Sequence, residues 1–470
     1  MPDAYSSLVL PDVRLMVQEE DRHGLTEFCK VLHPVVVSKI LDELEPREVW
    51  AVLDHANLRL RVEIFEYISL KRQIEIVDKL DKRRLSELLE EMSSDDRVDL
   101  LSRLPHDRVE DLLPLIAQAE RNDIRRLLSY DEDSAGSIMT TEYASLPAKI
   151  TVRDALEQLR QQAPDSETIY YIYILNSNRR LDGLISLREL ILAKPDTMLS
   201  DIMQRDVIRM RVDDDREDIV QEMALYNFIA IPIVDKEDRL VGIVTHDDAI
   251  DVAQEEATED AYRQGAVEPL RDDYEDSPVL TILWKRGIWL LLLSIVALMT
   301  AAVAELYSDA VAPGGPRADQ APEGLTTALI FLFIPLVMAS GGNAGAQSAT
   351  LFIRMFALQP ADTAVPGTEF HVDRRLVLRE LNIAMALGLA LATMDFLFVW
   401  LWFQLGIERS LVVALTVFLI VILGTTAGTM LPILFRRIGM DPAIMSNPLI
   451  AAIVDVLGVV IFYEVAMLFL

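Results

Sequence analysis

Between residues 36 and 130 the apolar positions repeat with a period of 24. Ile40, Leu41 and Leu44 recur as Ile64, Phe65 and Ile68, then as Leu88, Leu89 and Met92, then as Leu112, Leu113 and Ile116. The i, i+1, i+4 spacing is one face of a helix, and each unit runs through a polar break into a second short helix, such as Arg47–Leu53 or Arg97–Leu101. Helical hairpins of this kind stack on their neighbours and share a core, which predicts an all-α superhelical domain over residues 31–132, behind an N-terminal extension, 1–30, with no readable function. A solenoid is by itself a scaffold. Its acidic rim, with Glu63 and Asp95, is the part placed to offer ligands to a neighbour.

Residues 137–255 hold a second duplication. Ser137-Ile-Met-Thr is echoed by Asp201-Ile-Met-Gln, and Tyr171-Ile-Tyr-Ile-Leu by Ala230-Ile-Pro-Ile-Val. Leu181-Asp-Gly-Leu-Ile-Ser-Leu-Arg-Glu-Leu returns as Leu240-Val-Gly-Ile-Val-Thr-His-Asp-Asp-Ala. Each half reads helix, apolar strand, turn, apolar strand, helix, an α/β domain over 133–246. The arrangement resembles a tandem pair of CBS motifs, which implies a regulatory module for nucleotides or ions rather than a catalyst. Tyr170 and Arg188 are its candidate contacts to an adenine nucleotide such as ATP, although a tyrosine on a strand is more often packing.

From Asp247 a helix-compatible stretch is dense in carboxylates: Asp247, Asp248, Asp251, Glu255, Glu256, Glu259 and Asp260. Like charges three and four residues apart weaken a helix by a few tenths of a kcal/mol per pair. A solvated acidic helix is the ordinary reading. The stretch, assigned to residues 247–280, is also the only covalent route from the sensor-like module to the first apolar span, and divalent cations between its carboxylates would relieve the repulsion.

From residue 281 the pattern becomes apolar on all sides. Five spans of about 20 residues or more are predicted, at Trp284–Ala304, Leu325–Leu358, Leu381–Leu405, Leu411–Leu434 and Met445–Leu470. Lys285, Arg286, Arg354, Arg374, Arg375, Arg379, Arg436 and Arg437 fall on one side, and only Arg317 and Arg409 on the other. This bias places the N-terminal half in the cytoplasm and the C-terminus outside. The fold class expected is a multidomain membrane protein: superhelical N-domain, tandem CBS domain and a five-span α-helical bundle.

Charge sharpens the picture. Residues 1–280 carry 34 Lys/Arg against 61 Asp/Glu, a net of −27, while residues 281–470 carry ten against thirteen. Such a body attracts cations and is a poor partner for nucleic acid, which needs basic patches. The only cysteine, Cys29, excludes an intramolecular disulfide and fits a reducing compartment. The first ten residues have no basic region and do not read as a cleaved signal. No H-x₃-H pair, nucleophile motif or Walker loop appears, so an enzyme is not expected.

Ionisable groups at lipid depth cost about 2.5–3.5 kcal/mol and are functional candidates by default. Asp455 lies ten residues into the last span, with Ala451 and Ala452 one turn before it and Asn447 two turns before it. In the second span, Pro335 precedes Ala339-Ser-Gly-Gly-Asn-Ala-Gly-Ala-Gln-Ser-Ala, read as a broken segment that offers carbonyls together with Asn343 and Gln347. Oxygen-only donors with one carboxylate per chain suit Mg²⁺, which keeps most of its waters. Asp395 is read as facing the bundle, and Glu464 as interfacial.

Taken together, the helical N-domain, CBS pair, acidic connector and five spans resemble the MgtE family of Mg²⁺ channels and transporters. The most specific matches are Gly341-Gly-Asn-Ala-Gly-Ala-Gln-Ser-Ala-Thr, Asp441-Pro-Ala leading to Ser446-Asn-Pro, and Asp455. The resemblance implies a homodimer in the cell (inner) membrane with a central pore, where Asp455 coordinates hydrated Mg²⁺; the reading of the spans adds Ala451, Asn447, Asn343 and Gln347 to the pore set. It implies a cytoplasmic sensor of Glu63, Asp95, Glu217, Asp247, Asp248, Asp251, Glu256, Glu259 and Asp260, with Asp441 on the membrane side. The connector would act as a plug held shut by bound Mg²⁺. One departure is Asn227, an amide where members of this family can carry an aspartate, which weakens one sensor site. The competing expectations are a membrane-anchored metal or nucleotide sensor without transport, and a CBS-regulated transporter of another ion. The absence of basic residues from the spans away from their ends argues against an anion path.

Overall fold

The computed structural model describes the chain except residues 1, 117, 164–165, 271–273, 275–276, 312–326, 358–373, 439, 445–446 and 470. Arg317, the Pro313-Gly-Gly-Pro loop, Ser446 and the limits of the second and fifth spans at Leu325, Leu358, Met445 and Leu470 thus lie outside the described residues. The chain divides into two compact units, Met1–Val252 and Ala253–Leu470.

In the first unit, α1 (Pro2–Gln18) and α2 (Arg22–Val31) lead into α3 (Pro34–Leu41), α4 (Pro46–Leu53), α5 (Leu58–Glu66), α6 (Leu70–Val77), α7 (Lys82–Glu91), α8 (Ser94–Ser102), α9 (His106–Leu112) and α10 (Gln118–Leu127). All twelve repeat positions, from Ile40 to Ile116, are buried in one continuous core. A second, polar repeat holds the hairpins together. The Gln73 amide donates to the carbonyls of Phe65, Glu66 and Ile68 at 2.9–3.2 Å. Arg97 donates to Met92, and Arg121 to Pro114 and Ile116. These side chains, 24 residues apart, each satisfy carbonyls left open at the end of the preceding helix. The N-terminal extension is not separate: Val13, Leu25, Phe28 and Cys29 belong to the same core, because the first hairpin needs a neighbour to cover it.

The α/β part runs β1 (Tyr143–Pro147), α11 (Val152–Gln162), β2 (Thr168–Leu175), β3 (Leu181–Ser186), α12 (Leu187–Leu192), α13 (Leu199–Ile202), β4 (Met210–Arg211), α14 (Arg216–Tyr226), β5 (Ala230–Val234) and β6 (Leu240–Thr245). Its two three-stranded sheets repeat one topology, a parallel pair followed by an antiparallel hairpin. Tyr173, Ala230, Leu240 and Ile243 form a core shared by the two sheets. Val98 of α8 and Leu127 of α10 enter the core of the second repeat beside Met139, Ile231 and Val244, so the superhelix and the second CBS-like repeat are packed together. The acidic connector begins as α15 (His246–Gln264), which is shorter than the 247–280 expected: the helix ends beside Gly265, and Ala266 takes φ 55°.

The second unit contains α16 (Val279–Val311), α17 (Thr327–Ala357), α18 (Arg374–Trp402), α19 (Ile407–Arg437) and α20 (Asn447–Phe469). Among the described residues, four helices, α16, α18, α19 and α20, are long and apolar enough to cross a membrane. α19 is the central helix and α17, α18 and α20 pack on it. The expected break in the second span is absent: α17 is continuous through Pro335 and Gly341–Gly345. The glycines serve packing instead. A Cβ on Gly424 would overlap the carbonyl oxygen of Gly341, and one on Gly428 that of Gly345, so α17 and α19 touch backbone to backbone. Beside this seam Ser348 and Thr429 share a buried hydroxyl–hydroxyl hydrogen bond of 2.8 Å. Gly424→Ala or Gly428→Ala is therefore expected to cost about 1–3 kcal/mol and to lower the melting temperature in detergent. Gly287→Ala, where a Cβ meets nothing, leaves it unchanged; equal melting of all three variants contradicts the close contact.

Candidate functional site

Two groups of side chains stand out, one in each unit. In the first unit, α8 begins with Ser93 as its N-cap and Asp95 and Asp96 in its first turn, where helix dipoles favour anions. The Ser94 hydroxyl meets Thr140 at 2.9 Å and accepts the Thr141 N–H at 2.8 Å, which pins this turn to the CBS-like module. Glu66 at the end of α5 accepts the Ser93 N–H at 3.0 Å, and Asp96 the Ser93 hydroxyl at 3.0 Å. Asp248, in the first turn of α15, accepts the Thr245 hydroxyl. One oxygen of Asp95, Oδ1, is buried with no hydrogen-bond partner.

These carboxyls feel one another. Glu66 and Asp248 are each pushed up to about 8, first by burial and then by Asp95 and Asp96, with Glu167 adding to Glu66 and Asp247 to Asp248; the Ser93 N–H and the Thr245 hydroxyl partly oppose this. Glu167 is raised to about 7 by burial, then Asp95, Glu142, Asp247 and Asp96. Asp96 is raised to about 6 by burial and Asp95. Asp95 and Asp251 are raised too, burial first, with Asp247 contributing to both. The structure thus brings together Asp95, Asp247, Asp248 and Asp251 of the expected sensor and adds Glu66, Asp96, Glu142 and Glu167. Among the described residues no three of these groups converge tightly enough to grip one ion. Carboxylates spread in this way could share a cation only if it kept most of its water.

Of the other expected residues, Glu63 is exposed on α5 and acts on Tyr67 together with Asp247, Glu66 and Asp96. Glu217 lies in the first turn of α14 and accepts from Gln221 at 3.2 Å. Asn227 has a structural reason to be an amide: it ends α14 in the left-handed region at φ 55° and ψ 44°, where asparagine is well tolerated. Tyr170 and Arg188 are exposed, on β2 and α12.

In the second unit, Asn343, Gln347 and Thr350 lie at i, i+4 and i+7, exposed on one face of α17, while Gly341, Gly345 and Ser348 face inward. On α20, Asn447, Ala451 and Asp455 form a half-buried row at i, i+4 and i+8. The two rows adjoin. A Cβ on Gly342 would sit 3.2 Å from the Ala451 Cβ, and the Asn447 side chain meets the Thr350 hydroxyl at 3.3–3.4 Å. Thr350 is a further polar group of this face, signalled in the sequence only by its place seven residues after Asn343. Asp455 has no hydrogen bond or ion pair among the described residues. Asp395 is 5% exposed on the face of α18 that carries Ala384, Gly388 and Val399, the bundle-facing position expected. Glu464 is exposed and accepts the Tyr307 hydroxyl at 2.9 Å.

Beyond the first unit, Glu256, Glu259 and Asp260 lie on the second half of α15. Arg263 pairs with both Glu259 and Asp441. Burial raises Asp260, Arg263 lowers it, Glu259 raises it and Arg354 lowers it.

The shifts in the first unit carry a sign. An acid raised by the fold holds its proton more tightly folded than unfolded. Its stabilising contribution is complete below the ordinary values of 3.8–4.5 and is lost as pH climbs through about 6 to 8. In EDTA the first thermal transition of the full chain is expected to fall between pH 5.5 and 8, and added Mg²⁺ to raise it most at pH 8. A transition that rises over this window contradicts the crowding.

Comparison with known proteins gives one consistent result. The "Divalent cation transporter" profile of MgtE matches residues 334–465, the "MgtE intracellular N domain" profile residues 32–133, and the CBS domain profile residues 135–196 and 199–255. The magnesium transporter MgtE of Thermus thermophilus is 39% identical over 357 residues, 76% of this chain and 74% of that protein. The Enterococcus faecalis magnesium transporter MgtE is 33% identical over 351 residues, 75% of this chain and 72% of its own. The crystal structure of the soluble part of a magnesium transporter is 32% identical, covering 54% of this chain and 99% of that one, with a TM-score of 0.51. With a superhelix, a duplicated α/β module and a bundle of apolar helices in that order, this chain belongs to the MgtE family of membrane transporters.

Proposed function

We propose that this chain forms a homodimeric Mg²⁺ channel or transporter that brings Mg²⁺ into the cell across the inner membrane and is closed by Mg²⁺ on the cytoplasmic side. The observation that carries the reading is Asp455, a carboxylate without a partner among the described residues, in a row with Ala451 and Asn447 beside the polar face of α17. An acid at lipid depth needs water or a cation to balance it. Asn343, Gln347, Thr350 and Asn447 supply neutral oxygens around one carboxylate, the donor set of a hydrated Mg²⁺. One chain presents this face open on one side, and a symmetric second copy would complete a water-filled path. α17 is the fifth span on this reading. The Lys/Arg bias of the short loops supports a cytoplasmic N-terminal half and an external C-terminus.

Gating follows from the crowded acids. With Mg²⁺ scarce, Glu66, Asp95, Asp96, Glu167 and Asp248 repel one another, and the superhelix separates from the CBS-like module and the start of α15. Mg²⁺ held by these residues would supply the missing positive charge and favour closure. Driving such an equilibrium from 1:99 to 99:1 needs about 5.5 kcal/mol of differential binding, within reach of several sites acting together. Glu63 and Glu217 are second-line ligands on this reading, and Asn227 supplies a weaker donor than an aspartate. No step here needs a nucleotide at Tyr170 and Arg188.

A chain that only senses metal would explain the acids but not Asp455 and the row beside it. Asp455→Ala is expected to abolish Mg²⁺ uptake into vesicles while chemical cross-linking still yields a dimer; uptake at the original rate refutes the pore. Asp247→Ala is expected to keep uptake but to require several-fold more internal Mg²⁺ for closure. An unchanged closure curve refutes the sensor.

A further inference from the structure

The second half of α15 is tied to the membrane bundle by a positive side chain rather than by acids alone. Arg263, in the last turn of α15, pairs with Glu259 on its own helix and with Asp441 in the segment between α19 and α20. The three side chains are about a third exposed, so the pairs are shielded from water only in part. Asp441 is fully engaged: Oδ2 faces the guanidinium, and Oδ1 accepts the Ala443 N–H at 2.7 Å. Arg354, near the end of α17, is close enough to act on Asp260. Arg263 therefore lies between Asp441 and Glu259, and Asp260 feels both Arg263 and Arg354.

We infer that Arg263 is a tethered cation that latches the end of α15 to the α19–α20 segment in the absence of metal and occupies the carboxylates a divalent ion would need there. This rests on the reading of α15 as the gate and deepens it. A guanidinium carries one charge in a planar fork and can bridge two carboxylates. Mg²⁺ brings two charges but must strip water and displace the arginine to reach Glu259 and Asp441. The two halves of α15 then answer differently to metal: the first, amid carboxyls that raise one another, draws a cation from solution, while the second carries its own. The membrane end of the gate stays docked at low Mg²⁺, and opening becomes a movement of the first half before the second.

The test uses the full chain in lipid vesicles. In EDTA, glutamyl endopeptidase is expected to cut after Glu255–Glu259 and Glu268 roughly five-fold faster in Arg263→Gln than in wild type, the scale of two partly exposed ion pairs. Asp441→Asn should also speed cutting, by no more than Arg263→Gln, which loses the Glu259 pair as well, and the double variant should be no faster than Arg263→Gln alone, because the Asp441 contact acts only through Arg263. Arg263→Lys should restore part of the protection. Mg²⁺ uptake with no internal Mg²⁺ should rise several-fold in Arg263→Gln. Equal cutting of wild type and Arg263→Gln overturns the latch whatever the uptake shows, and so does a double variant whose effects add. A wild type that carries no Mg²⁺ under any condition refutes the transport reading instead, while the protease rates still decide the latch.

Discussion

The membrane half depends on one contact, the approach of two backbones where Gly341 and Gly345 of α17 meet Gly424 and Gly428 of α19. Lipid offers no hydrophobic drive for helices to associate, so close packing at small residues has to supply the attraction. The contact also fixes the rotation of α17. With its glycine face turned to α19, Asn343, Gln347 and Thr350 are carried to the exposed side, beside the Asn447–Ala451–Asp455 row. Gly342 against Ala451 sets the height at which the two rows meet. A larger residue at any of these points would turn or lift α17 and separate the polar groups from the carboxylate.

The cytoplasmic half has the opposite character. Its hairpin ends are held by Gln73, Arg97 and Arg121, yet carboxyls are gathered where the superhelix meets the CBS-like module. Neutral hydrogen bonds from Ser93 and Thr245 offset only part of that cost. A seam of this kind is stable when protons or metal ions supply positive charge and weak when they do not. On the proposed gating, an ion held in such a seam would act as a switch only by binding two states with different affinity.

Much of this was legible in the sequence because periodicity reports burial. The 24-residue repeat located the hairpins, and the duplicated strands located both sheets. Glycine was the weak point. Gly341-Gly-Asn-Ala-Gly reads equally as a break or as a packing seam, and only the partner glycines on α19, eighty residues away, decide for packing. The capping set was present at its own 24-residue spacing but invisible to a comparison of apolar positions alone. Asp247 and Asp248 stand out in the acidic run and Asp95 on the acidic rim of the repeat, whereas Glu66 and Glu167 carry no such signal, because their proximity to α8 is made by tertiary packing. Arg263 stood in plain view inside an acidic run, and its role depends on Asp441, nearly 180 residues later.

The central claim is that a carboxylate-lined membrane path carries Mg²⁺ and that internal Mg²⁺ shuts it. The most direct measurement is Mg²⁺ flux into vesicles holding the purified wild-type chain, with internal free Mg²⁺ set at a series of concentrations. The account expects rapid entry when internal Mg²⁺ is absent and a steep decline to near background as it rises. Entry no faster than in empty vesicles, or entry indifferent to internal Mg²⁺, contradicts it.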